Sequence, residues 1–268
     1  MEIEYLRTIG RRLLAMIPRH RFAPGSGVAL RVGASGDRTF PLDKEAEETI
    51  LSSLEELGVP FHVVSEEMGV REGGPGALRV IIDPIDGSRN AVSGLPVFCS
   101  SIAIADGERI GDVFMSYVVN LVSGDEFWAE KGKGAFMNAG RIRPQDGREL
   151  KVILYEAQKP GRDIPRIMHL LGMFTRARCL GATALDLCYL AMGAVSAFAA
   201  PAPSRSFDFA GGWLIAREAG ALVTDFRGGG LDGVALGLGY SVPLLASANK
   251  DIHERLISAM REQGGGGA

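Results

Sequence analysis

The densest chemistry in this sequence lies in Arg79-Val80-Ile81-Ile82-Asp83-Pro84-Ile85-Asp86-Gly87-Ser88. The apolar run predicts a buried strand that feeds straight into a turn. Pro84 should end the strand because it has no N–H to give a ladder. Asp83 and Asp86 flank the turn, and both can point past the strand end. Gly87 permits close backbone approach. A helix opening after Ser88 would add free N–H groups that favour an anion. One loop would then offer two carboxylates, the Ile85 carbonyl, a hydroxyl and phosphate-binding amides. The same residues also suit a capped Asx turn without any catalytic role.

Two more segments carry acids at the ends of expected elements. Ser65-Glu66-Glu67 follows the apolar run from Phe61 to Val64. If both runs are strands of one sheet, Glu67 is expected beside Asp83. In Phe207-Asp208-Phe209-Ala210-Gly211-Gly212 an aspartate opens a helix whose first turn is small. A plain N-cap is the alternative. Carboxylates gathered without cations would repel one another and hold protons. Divalent cations resolve that conflict, and an all-oxygen set suits Mg2+ or Mn2+ better than zinc. The four histidines (His20, His62, His169 and His253) have no ligand spacing. No Walker loop, His-Glu-x-x-His, EF-hand loop or Gly-x-Ser-x-Gly elbow is present. Gly228, Gly230 and Gly233 satisfy a dinucleotide fingerprint, but no helix opens there and a turn is expected.

The elements that must position these acids can be read from periodicity. Ile3, Leu6, Ile9, Leu13 and Ile17 predict an amphipathic surface helix, and Asp43 to Leu57 predicts another. A glycine-rich stretch, Gly25 to Gly36, separates them. Strands are expected at Phe61 to Val64, Leu78 to Ile82, Val97 to Ala105 and Ile110 to Val118, then a hairpin through Lys131-Gly132-Lys133-Gly134. Beyond residue 150, strands at Val152 to Tyr155 and Leu222 to Asp225 alternate with helices at Pro165 to Leu171, Ala184 to Met192, Asp208 to Ala219 and Lys250 to Arg261. The fold class is therefore α/β, with an α+β N-terminal half and an α/β C-terminal half. The expected domains are 1–145, carrying most of the acids, and 146–263, carrying Asp208; 264–268 reads as a flexible glycine tail.

The chain has 268 residues, enough for about two domains at roughly 150 residues each. Its 29 basic and 32 acidic side chains leave a net charge of −3, which argues against a general nucleic-acid binder. The three cysteines form no Cys-x-x-Cys, so a reducing cytoplasm is the expected setting. The N-terminus does not read as a signal peptide. The uncharged run from Leu187 to Ser204 is broken by Gly193, Pro201 and Pro203. It is expected to be a buried helix, a short strand and a loop rather than a membrane span.

These three acidic segments resemble the three signatures of the inositol monophosphatase family, within the magnesium-dependent, lithium-sensitive phosphatases. Ser35-Gly36-Asp37-x-Thr39, Asp43-x-x-x-Glu47, Lys131-Gly132-Lys133-Gly134-Ala135 and Glu218-Ala219-Gly220-Ala221 also match. The likeness spans about residues 30 to 260 and is greatest to archaeal-type members, some of which hydrolyse inositol monophosphate and fructose 1,6-bisphosphate. It implies a layered α-β-α-β-α sandwich. It also implies two or three Mg2+ ions, with Mn2+ as a substitute. Glu67, Asp83 and the Ile85 carbonyl would hold one ion; Asp83, Asp86 and Asp208 would hold the second. Water would attack phosphorus, oriented by Glu67 and Ser88, with Asp43 helping to remove its proton. Gly87 and Ser88 would bind phosphate. Asp86, Gly181, Ala182, Thr183 and Arg205 would contact substrate. The family commonly has an acid after the strand Val195 to Phe198, whereas Ala199 and Ala200 stand here. The implied substrate is a small phosphorylated polyol or sugar and the implied assembly a homodimer, with no nucleic-acid or membrane partner. A 3′-phosphoadenosine 5′-phosphate or NADP phosphatase, or a non-catalytic binding module on the same fold, are the alternatives.

Overall fold

The structure is a computed structural model that describes residues 2–20, 27–239 and 241–264. Gly25 and Ser26 of the glycine-rich stretch, and residues 265–268 of the expected tail, lie outside these. Helix α1 (Ile3–His20) buries Leu6, Ile9 and Leu13 of the stripe its periodicity predicts, with Met16 beside them, while Ile3 and Ile17 stay half-buried. A small hairpin follows, β1 (Arg31–Val32) with β2 (Arg38–Thr39). Helix α2 (Pro41–Glu55) starts just before the expected Asp43, with proline in its first turn where the missing N–H costs nothing. Then come β3 (Phe61–Ser65), β4 (Gly69–Arg71), β5 (Leu78–Asp86) and the short α3 (Ser88–Ser93). Strands β6 (Cys99–Ala105), β7 (Val113–Asn120), β8 (Glu126–Glu130), β9 (Gly134–Met137) and β10 (Gly140–Arg141) complete the first half. Strands β3 to β10 form one sheet in the order β10-β9-β8-β7-β6-β5-β3-β4, antiparallel except where β3 lies beside β5.

The second half contains β11 (Val152–Tyr155), α4 (Pro160–Leu171), β12 (Arg176–Arg178) and α5 (Thr183–Ala191). Strand β13 (Ala197–Arg205), α6 (Ser206–Ala219), β14 (Leu222–Thr224), β15 (Ser241–Ser247) and α7 (Lys250–Gly264) follow. Their sheet runs β12-β11-β13-β15-β14, with β11 parallel to both β12 and β13.

The layers are α-β-α-β-α. Helices α1 and α2 cover one face of the larger sheet through Ile50, Val63, Val80, Ile82 and Tyr117. Helices α5 and α6 fill the space between the sheets, and α4 and α7 cover the smaller sheet with Ile167, Leu170, Ile252 and Leu256. The middle layer is tight. A methyl added at Gly212 of α6 would sit 2.9 Å from Leu187 Cβ of α5. No described helix is long and apolar enough to cross a membrane.

Three local expectations need correction. Strand β5 does not stop at Pro84 but runs to Asp86, because the ladder skips a residue between Asp83 and Asp86 and so needs no N–H from Pro84. Strand β13 likewise runs through Pro201 and Pro203, where no ladder pair forms between Ala200 and Ser204. The run from Leu187 to Ser204 is thus a helix end and most of a long strand. Strand β15 escaped the sequence reading because Pro243 demotes such a run. Pro243 falls in the same interruption of the ladder as the two prolines opposite.

Candidate active site

The acids are placed by strand parity and one bulge. In the parallel pair β3–β5 the register is Val64↔Ile81 and Ser65↔Ile82. The strand β3 ends there, but continuing the register by one residue sets Glu66 beside Asp83, and residues in register share a face. Val63, Val80 and Ile82 belong to the α1/α2 core, whereas Ile81 belongs to the core between the sheets. Asp83 therefore faces α6. Asp86, three residues on, would face the other way in a regular strand. The ladder instead pairs Asp83↔Ser101 and Asp86↔Cys99, which are two residues apart on β6. The extra residue on β5 restores parity, so both aspartates point toward α6.

The placement of one acid differs from the expectation. Glu66, not Glu67, enters the cleft with Asp83. Glu67 turns back to the Thr39 hydroxyl, which donates to its Oε2. Burial lifts the Glu67 carboxyl to about 7. Glu47 is also internal to the fold. It accepts from the Ser65 hydroxyl and from the Met68 amide at 2.8 Å.

Asp208 comes from the first turn of α6. Its Oδ2 accepts the Arg205 amide at 2.7 Å, so Asp208 is the third residue of the helix reaching back to the N-cap Arg205, not the N-cap itself. The Arg205 side chain lies 3.4 Å from Asp208, 3.6 Å from Glu66 and 2.6 Å from Asp37 on the β1–β2 hairpin. Its guanidinium stacks over Phe207, 4.7 Å from the ring centre. Asp86 Oδ2 accepts the Ala184 amide at 2.6 Å, which ties the β5 turn to the N-terminus of α5. Ser88 Oγ lies 2.6 Å from Asp43 Oδ1 and 2.8 Å from the Ile85 carbonyl, so its proton is shared between two acceptors. Asp43 accepts the Phe40 amide with its other oxygen at 2.6 Å. It does not line the cleft and reaches it only through Ser88.

These groups open on a cleft of about 850 Å³. Gly181 and Thr183 line it as expected. Ala182 does not line it, and its side chain is fully buried. Six carboxylates line the cleft (Asp37, Glu66, Asp83, Asp86, Glu156 and Asp208) against four cations (Arg38, Arg89, Lys159 and Arg205). The sequence reading missed Glu66, Glu156, Lys159, Arg38 and Arg89 as cleft residues. For Glu66 the signal was present in the alignment of the two apolar runs. For the others it required the sheet order.

The electrostatics favour a bound cation. Burial, then Glu66, Asp86 and Asp208, hold the Asp83 carboxyl well above the usual range. Burial foremost lifts Asp86 to about 8 and raises Glu66 and Asp208. Asp43 is lifted to about 6, also by burial. Asp83 Oδ1 is buried with no hydrogen-bond partner. Such an orphan costs about 1–3 kcal/mol unless something is bound to it. The donors are all oxygen, which fits a hard divalent cation. Among the described residues no three His, Cys, Asp or Glu side chains are already drawn together as a ligand set.

The sequence matches the inositol monophosphatase family over residues 25–264. A fructose-1,6-bisphosphatase/inositol-1-monophosphatase of Methanothermobacter thermautotrophicus is 33% identical, with 88% of each chain covered. The Nus factor SuhB of Vibrio cholerae is 37% identical, covering 73% of this chain and 74% of its own. The crystal structure of an inositol monophosphatase–fructose 1,6-bisphosphatase superposes with a TM-score of 0.84 at 28% identity, covering 97% of this chain and 100% of that one.

Proposed function

The chain belongs to the inositol monophosphatase family, and on that premise we propose that it is a Mg2+-dependent phosphomonoesterase of inositol monophosphate, fructose 1,6-bisphosphate or both. The observation that carries this reading is the unpartnered, buried Asp83 Oδ1 with Glu66, Asp86 and Asp208 around the same cleft. Glu66, Asp83, the Ile85 carbonyl, Asp86 and Asp208 would hold two Mg2+ ions, with a third weaker one at the rim and Mn2+ as a substitute. Glu66 takes the part expected of Glu67. When bound, the ions supply positive charge at the phosphate and favour ionisation of a nearby water.

The chain's own residues do the rest. Gly87 and Ser88 receive phosphate at the start of α3. Asp43 accepts from Ser88, fixes the direction of that hydroxyl, and draws a proton through it from attacking water. Asp86 couples the β5 turn to α5, so Gly181 and Thr183 are held against the substrate. Arg205 keeps the acids of the two halves in register and contacts a hydroxyl or phosphate. Arg38, Arg89 and Lys159 at the cleft wall support a substrate with a second anionic group.

The remaining features are read in the same way. The halves 1–145 and 146–263 act as two subdomains with the cleft between them. Cys99, Cys179 and Cys188 are all free, which supports a reducing cytoplasm. Exposed Leu95 and Val122 border an apolar cleft of about 520 Å³ with Leu14, Ile17 and Phe98, which supports a homodimer.

Phosphate release from a panel of inositol, sugar and nucleotide phosphates, with Mg2+ or with a chelator, tests the function. Turnover should require Mg2+ and be abolished by Asp83→Asn. An Asp83→Asn variant as active as the parent would refute the ligand assignment. A parent inactive on every ester would favour a purely binding role.

A further inference from the structure

Glu156 is an acid that the reaction described above leaves unused. It directly follows β11, and its amide donates to the Ala199 carbonyl of parallel β13 at 3.0 Å. Carboxyl ends of parallel strands are where open sheets present ligand-binding groups, and Glu156 lines the cleft there. On the neighbouring strand, Ala199 and Ala200 are apolar and buried. One Glu156 oxygen accepts the Ala157 amide at 3.1 Å. Among the described residues no other hydrogen bond and no ion pair reaches this carboxylate. The half-buried acid thus keeps an oxygen open to the cleft on the wall contributed by the second half of the chain. Burial, and then repulsion from Asp208 and Asp163, raises its carboxyl above the ordinary range. Such a group is costly to keep without a ligand.

Resting on the phosphatase reading, we propose that Glu156 is the specificity-determining acceptor for hydroxyl groups of the substrate's polyol moiety. A carboxylate accepts from two adjacent hydroxyls at once and has no hydrogen to give a phosphate oxygen when ionised. It therefore favours the hydroxyl-bearing end of the substrate and repels the phosphate. That sets the direction in which the ester enters: phosphate toward Ser88 and the Asp83–Asp86 turn, hydroxyls toward β11. A hydrogen bond to a charged acceptor is worth about 1.5–3 kcal/mol, roughly a 10- to 150-fold effect on kcat/KM.

The test compares inositol 1-phosphate with phenyl phosphate, which has no hydroxyl to offer, in the parent, Glu156→Gln and Glu156→Ala. Melting temperature and Mg2+ half-saturation are measured alongside. Glu156→Ala should lose about 10- to 150-fold in kcat/KM on inositol 1-phosphate, mainly through KM, and Glu156→Gln less. Phenyl phosphate turnover and Mg2+ half-saturation should stay within about two-fold. Equal losses on both esters, or a shifted Mg2+ response, would overturn the assignment by showing that Glu156 serves the ions or the fold. Unchanged inositol 1-phosphate kinetics would overturn it too. A parent that hydrolyses neither ester nor fructose 1,6-bisphosphate would instead remove the phosphatase reading itself, and this inference with it; one active on fructose 1,6-bisphosphate alone would overturn the inference and leave that reading standing.

Discussion

Gly87→Ala should damage activity far beyond its size, and the structure gives the magnitude. Gly87 has φ +91°, a conformation that costs an L-residue about 1–2 kcal/mol. A methyl there would lie 3.0 Å from the Val97 carbonyl, 3.1 Å from the Gly181 carbonyl and 3.2 Å from Phe98 Cβ. Two of these neighbours are backbone oxygens, which cannot rotate away. Overpacking of this kind costs about 1–3 kcal/mol. The two costs together come to roughly 2–5 kcal/mol. At about 2–4 °C per kcal/mol for a chain near this size, the melting temperature should fall by roughly 4–20 °C. Relief requires the β5 turn to separate from Gly181, which moves Ser88 away from the opposite wall of the cleft. A misplacement on that scale should cost about 100-fold in kcat/KM. Calorimetric melting, with phosphate release measured well below the variant's transition, separates the two effects. A melting temperature within 1 °C of the parent, with activity retained, would refute the close approach and the role given to this turn.

The paired acids after β3 should behave oppositely. Glu66→Gln should weaken Mg2+ activation by about ten-fold or more. Glu67→Ala should mainly lower the melting temperature through its lost Thr39 partner, with Mg2+ half-saturation near the parent value. Calorimetric Mg2+ titration of both variants checks this, and a reversed order would return Glu67 to the site. His253 gives a pH prediction away from the cleft. It is buried between the Thr224 and Ser247 hydroxyls, and burial holds its imidazole below the usual range. The unfolded state therefore takes up a proton near pH 6.5 that the folded state refuses, so stability falls as pH drops below that value. In the parent the melting temperature should decline on that limb, and in His253→Gln it should decline less. Equal slopes would count against the burial argument.

The sequence exposed most of the framework because its elements are locally consistent. The α1 stripe, the β8–β9 hairpin and the α6 start at Phe207-Asp208 all follow from spacing and small-residue patterns. The elements it concealed share a cause. Pro84, Pro201, Pro203 and Pro243 each argue locally against a strand, yet each lies where a ladder skips residues and no N–H is required. Strand β12, with two exposed arginines in three residues, has no apolar signature because it is an edge.

The same physics decides which residues of the site were legible. Asp83 and Asp86 could be singled out because they stand at the end of an apolar run, and Asp208 because it opens a helix whose first turn is small. Choosing between Glu66 and Glu67 required the register of β3 against β5, since a one-residue slip moves every side chain to the other face. Aligning Phe61 with Leu78, the first residues of the two runs, already pairs Glu66 with Asp83. Measuring back from Asp83 along the chain does not. Asp83 and Asp86 bring out the point further, for their spacing predicts opposite faces and only the bulge brings them together. The bulge is therefore part of the site as much as the acids are. An insertion of one residue into β6 between Cys99 and Ser101, matching the extra residue on β5 and restoring a regular ladder, should turn Asp86 toward the α1/α2 core and abolish Mg2+-dependent turnover, even with every carboxylate retained.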